Sequence, residues 1–136
     1  MNNIFTYGSL MYPEIFAAVA GQTYRFQPAT LPNWRRHRLQ GETYPAAIPC
    51  SDHQLEGVVW FNVSADSLER LDRFETSSYA RQQVQVHTHD RGTYAAYIYR
   101  WLDRSRLLDE DWSTEVFETQ HLKHFFEIHD KVSRSE

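Results

Sequence analysis

The sequence predicts an α+β fold in one domain, and three observations carry that prediction. The middle of the chain is dominated by β-branched and alternating runs, at Leu55 to Val63, Tyr79 to His89 and Thr93 to Trp101. Helical spacing of apolar residues is confined to shorter stretches beside and between them. No internal repeat, low-complexity tract or linker divides the 136 residues, which is about one domain's length. One domain is expected over residues 1–130, with 131–136 a flexible tail.

The elements follow in order. Ile4 to Leu10 is an apolar run entering a Tyr7-Gly8-Ser9 turn; Gly8 there allows a backbone conformation, or a close ligand approach, that a Cβ would obstruct. Pro13 suits a helix start and Gly21 its end, with Ile15, Phe16, Val19 and Ala20 at helical spacing between them. Residues 23–48 carry Pro28, Pro32, Gly41 and Pro45 among short apolar runs. They read as two irregular strands, at 24–31 and 34–39, followed by an extended Tyr44-Pro45-Ala46-Ala47-Ile48 segment.

The run from Leu55 to Val63 is apolar on both alternating faces, as in a central strand, and Gly57 within it marks a bulge or a close backbone approach. Ser64 is placed to cap a helix over residues 65–75, with Asp66 favourable in its first turn. Val84 and Val86 alternate with Gln83, Gln85 and His87, which predicts a half-exposed strand. Asp90-Arg91-Gly92 then turns into Thr93 to Trp101, with Ala95, Tyr97, Tyr99 and Trp101 on one face, to complete a hairpin. Asp103 to Trp112 is charged and irregular. Leu122, Phe125, Phe126 and His129 fall at i, i+3, i+4 and i+7 and predict a helix over 113–129.

Composition narrows the function. A formal charge of −4 and a pI near 6.0 lack the basic footprint of nucleic-acid or anionic-membrane binding. Trp34-Arg35-Arg36-His37-Arg38 is the only basic run, and it reads as a solvated strand face. The single cysteine, Cys50, forms no internal disulfide. The Met-Asn-Asn start does not look like a signal peptide, and no apolar run approaches the roughly 20 residues of a membrane span. A cytoplasmic protein is expected. The 15% aromatic content supplies side chains able to wall a small-molecule pocket.

Glu75 is the most informative single residue. It lies four residues after Leu71 and seven after Leu68, so on a helix it projects in the arc of those two apolar side chains. A carboxyl buried there without a charge partner has a raised pKa, as suits a proton shuttle near neutral pH. An ion pair with Arg73 or Arg81, or a frayed helix end, are the alternatives at this point.

Tyr7-Gly8-Ser9-Leu10-Met11, Tyr44-Pro45-Ala46, Leu55-Glu56-Gly57 and Leu71-Asp72-Arg73-Phe74-Glu75 with Tyr79-Ala80-Arg81 occur in an order and spacing that resembles the γ-glutamyl cyclotransferase-like family. The resemblance spans roughly residues 2–101. It implies a small mixed β-barrel with flanking helices whose cavity takes a small-molecule γ-glutamyl substrate. The activity it implies is a cyclotransferase, acyltransferase or lyase in type, that converts a γ-glutamyl amine, peptide or conjugate to 5-oxoproline and a free amine. Glu75 corresponds to the family's catalytic glutamate, and Tyr7, Gly8, Ser9 and Leu10 to its substrate-cradling loop. No cofactor and no metal are implied. Tyr79 is added as a substrate-binding candidate, because it stands just beyond Glu75 on the same side as Arg81. Thr76-Ser77-Ser78 stands where the resemblance leads one to expect a glycine-bearing turn. A non-catalytic module binding a small acid or amide on the same barrel is the alternative function.

Other chemistries fit less well. Tyr7-Gly8-Ser9-Leu10 is not the Gly-x-Ser-x-Gly elbow of a serine hydrolase. Cys50 reads as a half-buried thiol. His87 and His89 share a strand face, and His121, His124 and His129 share the last helix, none at a recognised metal-ligand spacing. Oligomeric state is not specified.

Overall fold

The computed structural model describes residues 2–42, 44–75 and 77–112. Its elements in chain order are β1 (Asn2–Thr6), α1 (Pro13–Ala20), β2 (Phe26–Leu39), β3 (Pro45–Val63), α2 (Ala65–Glu75), β4 (Tyr79–Thr88), β5 (Thr93–Trp101) and β6 (Leu107–Asp111). Short 3₁₀ turns stand at Ser9–Met11 and Arg104–Arg106. The helix expected over 113–129, its histidines and the tail lie outside the described residues.

Five strands close into a mixed barrel in the order β3-β1-β5-β4-β2, and β2 pairs back onto β3. Among the described residues only the β1–β5 contact, through Ile4 and Tyr97, is parallel; the other pairs are antiparallel. β6 adds to β2 outside the closed ring. Alternation along the strands divides the core into two layers. Phe5, Leu31, Leu55, Val59, Phe61, Val86, Ala96 and Ile98 fill the barrel. Ile4, Trp60, Val63 and Tyr99 face outward, where α1 and α2 cover them with Ile15, Phe16, Leu68 and Leu71. Phe16 stacks on Trp60 with ring centres 3.9 Å apart and planes 5° from parallel.

The helix boundaries follow from local chemistry. Pro13 opens α1, and Gly21 ends it at φ 89°, with its N–H on the Ala17 carbonyl at 2.9 Å. Ser64 Oγ accepts from the Ser67 N–H at 3.2 Å and so caps α2. Gly57 is explained by close approach: a Cβ there would stand 2.2 Å from the Thr6 carbonyl oxygen and 2.7 Å from the Phe5 ring.

Four expectations are corrected. The two strands at 24–31 and 34–39 are one, because the irregularity between Pro32 and Trp34 is absorbed by Asn33 at φ 64° while pairing with β3 continues on both sides. For the same reason the extended segment from Tyr44 and the run Leu55 to Val63 merge, from Pro45 onward, into the nineteen-residue β3. The charged stretch 103–112 contains a strand, β6, whose acids answer the basic run of β2. Arg35 pairs with Asp109 at 3.1 Å and Asp111 at 2.8 Å, and Arg38 with Glu110 at 3.3 Å. The basic run is therefore not simply a solvated face. Along β5, Tyr99 and Trp101 are buried on one face and Ala96 and Ile98 on the other, inside the barrel, while Ala95 is exposed.

Two substitutions check this construction by chemical denaturation. Gly57→Ala should cost about 3 kcal/mol, since backbone rather than a flexible side chain blocks the new Cβ. Ser64→Ala should cost about 1 kcal/mol through loss of the cap.

Candidate active site

At one end of the barrel, the exit of β1, the entry of β3, the C-terminus of α2, the entry of β4 and the exit of β5 enclose a cavity of about 300 Å³. That is at the small end of the range for small-molecule sites, roughly 300–1,000 Å³. Tyr7, Gly8, Ser9, Leu10, Glu75 and Tyr79 all line it, so every sequence-derived candidate falls in one place.

The loop after β1 is held from several sides. Thr6 Oγ1 donates to the Leu10 carbonyl at 3.2 Å and accepts from Trp60 Nε1 at 2.9 Å. The Met11 N–H returns to the Gly8 carbonyl at 3.0 Å, which forms the 3₁₀ turn. Gly8 has φ −134°, so left-handed backbone is not its reason. A Cβ on it would come within 2.8 Å of the Pro45 ring, and glycine is what lets the start of β3 close against the loop.

The tyrosines are tied to the framework. The Tyr7 hydroxyl donates to the Tyr99 carbonyl, and the Tyr79 hydroxyl to the Pro45 carbonyl at 2.9 Å. Tyr99 donates to Asp72 Oδ1 at 2.8 Å. Burial is the first cause that pushes the pKa of Tyr7, Tyr79 and Tyr99 upward, with Glu75 adding to each. All three remain neutral phenols at physiological pH.

Glu75 ends α2, one turn beyond Leu71, and its carboxyl is pushed up to about 8, first by burial and then by the charge of Asp72. The negative end of the helix dipole acts in the same sense. Among the described residues no ion pair involves Glu75: Arg81 Nε pairs with Asp72 Oδ1 at 2.8 Å and lies over the Tyr97 ring. The alternative of a Glu75 ion pair with Arg81 therefore does not hold. Ser77 and Ser78, in place of a glycine-bearing turn, still make a turn, anchored by the Leu102 N–H on the Ser78 carbonyl at 3.1 Å.

Cys50 is half-buried on β3, and His87 bonds through Nδ1 to Thr93 Oγ1 at 3.1 Å, away from the cavity. Among the described residues no group of three His, Cys, Asp or Glu could hold a metal ion. No helix among them is long and apolar enough to cross a membrane.

Sequence reasoning missed Tyr44, Pro45, Phe74 and Tyr99 as cavity walls, and Arg36 behind the loop. Arg36 Nη1 donates to the Tyr7 carbonyl at 2.8 Å, and its guanidinium lies over the Trp112 ring at 5.0 Å. Burial draws its pKa down, opposed by Asp111 and Glu56. A usable signal was present: adjacent residues of a strand face opposite ways, so Arg35 and Arg36 cannot share one solvated face.

Comparison with known proteins agrees with this architecture. A family model described as gamma-glutamyl cyclotransferase, AIG2-like, matches residues 4–114. AIG2-like protein A of Arabidopsis thaliana is 31% identical, over 97% of this chain and 81% of its own. A solution structure of another Arabidopsis thaliana protein superposes with a TM-score of 0.74 at 28% identity, over 96% of this chain and 81% of that one. A solved gamma-glutamyl cyclotransferase shares the fold at a TM-score of 0.66 and 21% identity, over 75% of this chain and 67% of its own. With a closed mixed barrel flanked by two helices and a family match across most of its length, the chain belongs to the gamma-glutamyl cyclotransferase, AIG2-like family.

Proposed function

We propose that the protein is a γ-glutamyl cyclotransferase, releasing 5-oxoproline and a free amine from a small γ-glutamyl amine, peptide or conjugate. The observation that carries this reading is the raised pKa of Glu75 in the same cavity as the Tyr7-Gly8-Ser9-Leu10 loop.

The chemistry needs one group that first takes and then gives a proton. An α-ammonium has no lone pair for attack, so a base must remove a proton before the nitrogen can bond to the γ-carbonyl carbon. In a cavity withdrawn from water, a neutral amine beside a neutral carboxylic acid avoids the desolvation cost of a separated charge pair. Glu75 accepts that proton. The nitrogen adds to the carbonyl, and the electron pair moves onto oxygen. Backbone N–H groups of the Gly8–Leu10 turn are candidates to stabilise that oxyanion or the substrate carboxylate. As the oxyanion collapses, the bond from the γ-carbon to the departing nitrogen breaks and Glu75 gives that nitrogen its proton; the carboxylate so regenerated takes the second proton of the attacking nitrogen, cationic since its addition, and passes it to the freed amine, which leaves as an ammonium beside the neutral lactam. Both reacting groups belong to one molecule, so a cavity that keeps the substrate folded supplies much of the acceleration through orientation.

Assay of γ-glutamyl amines, γ-glutamyl dipeptides and glutathione for 5-oxoproline release tests the reading. Turnover is expected with at least one of them, and Glu75→Gln should reduce kcat by about 10²-fold or more. Binding without turnover across the panel would instead identify a non-catalytic module. The pH profile is a second check. Free Glu75 is protonated below about 8, so kcat/KM should rise with pH through an apparent pKa near 8 and fall again once the substrate ammonium is lost. Stability supplies a third. The folded state holds the Glu75 proton between the ordinary value of 4.5 and about 8, whereas the unfolded chain releases it, so this carboxyl lowers stability progressively as pH rises through that window. Denaturation at several pH values should show Glu75→Gln gaining on the natural protein from pH 4 to pH 8, by about 4 kcal/mol at most.

A further inference from the structure

Arg36 is the one cation of the basic run that turns toward the cavity loop. Its Nη1 donates to the Tyr7 carbonyl at 2.8 Å and, at 3.5 Å, to the Glu56 carbonyl; the guanidinium lies over the ring of Trp112, whose backbone N–H donates to the Arg36 carbonyl at 3.4 Å. Among the described residues its neighbours Arg35 and Arg38 are ion-paired to β6, and no ion pair involves Arg36. Arg36 is half-buried, and a cation placed on a main-chain carbonyl gives a charge-assisted hydrogen bond, which is the strong kind.

The Tyr7–Gly8 peptide bond is trans, so its C=O and N–H point in opposite directions. Arg36 draws the carbonyl to one side and thereby turns the Gly8 N–H to the other, and Gly8 lines the cavity. Withdrawal of electron density toward the guanidinium also makes the same peptide's N–H a better donor.

We propose that Arg36 is a positioning residue for the reaction: by holding and polarising the Tyr7 carbonyl, its guanidinium aims and strengthens the Gly8 N–H as a donor to the anionic oxygen of the bound molecule. This rests on the cyclotransferase reading. Arg36 does not line the cavity, and it acts on a guest only through this peptide. The role depends on charge as well as on shape. Glutamine keeps a neutral N–H donor on a shorter stem, whereas lysine keeps the cation.

The test uses the full chain, with Arg36→Gln and Arg36→Lys. Arg36→Gln should lower kcat about tenfold with a smaller change in KM, and move the Gly8 amide proton upfield in 1H–15N spectra. Arg36→Lys should recover part of both. The proposal is overturned if Arg36→Gln keeps the natural kcat and Gly8 resonance, or if both variants lose activity and thermal stability equally while the Gly8 resonance stays in place. Should Arg36→Gln fail to fold, the natural protein decides: a through-hydrogen-bond coupling between an Arg36 guanidinium nitrogen and the Tyr7 carbonyl carbon supports the role, and its absence refutes it. If the natural protein turns over no γ-glutamyl compound, the functional reading falls by itself. Arg36 is then judged by the Gly8 resonance and by whether Arg36→Gln weakens the affinity for 5-oxoproline.

Discussion

Closure of the barrel rests on β3, and β3 can close it only because Gly57 lies flat against the Thr6 carbonyl. The nineteen residues of this strand pair with β2 along most of their length and with β1 near their end. A side chain at Gly57 would lever β1 away just where it runs into the Tyr7–Leu10 loop. At the other end of β3, Pro45 meets Gly8, again at a distance that only glycine allows. Two missing β-carbons thus fix both the seam of the barrel and the mouth of its cavity, and the loop between them inherits its position from the sheet.

Glu75 is the counterpart of that loop. α2 is held by the outward layer of the core, through Leu68 and Leu71 against the covered faces of β1, β3 and β5. The same anchoring that makes the helix stable carries its last residue into the cavity, where water is scarce and the nearest carboxylate, Asp72, repels it. Asp72 is meanwhile stabilised by Arg81 and Tyr99. Two carboxyls three residues apart on one helix therefore sit in opposite electrostatic environments, one paired and one left to desolvation.

Much of this is legible in the sequence. Pro13, Gly21 and Ser64 marked the helix ends correctly because caps are local chemistry. The Leu68–Leu71–Glu75 spacing placed the carboxyl on the covered side because helical geometry is fixed. Long-range pairing was not legible. Nothing near Asn33 announces that a left-handed residue will carry one strand across an irregularity, and nothing in residues 107–111 alone makes an acidic stretch a strand. That depends on Arg35 and Arg38, some seventy residues earlier. The cavity walls Tyr44 and Tyr99 belong to the same class, since their meeting is a property of closure and not of any local pattern.

The tyrosine hydroxyls around the cavity have one more consequence. Tyr7, Tyr79 and Tyr99 each give their hydrogen to an acceptor of the protein, and Tyr44 bonds to Glu42. A phenol has a single hydrogen, so these oxygens can only accept further hydrogen bonds, and that of Tyr7 already accepts from the Ala47 N–H. The tyrosine hydroxyls are thus acceptors for anything further, whereas main-chain N–H groups can only donate. A phenol oxygen committed in this way suits an ammonium or another donor and offers nothing to a carboxylate.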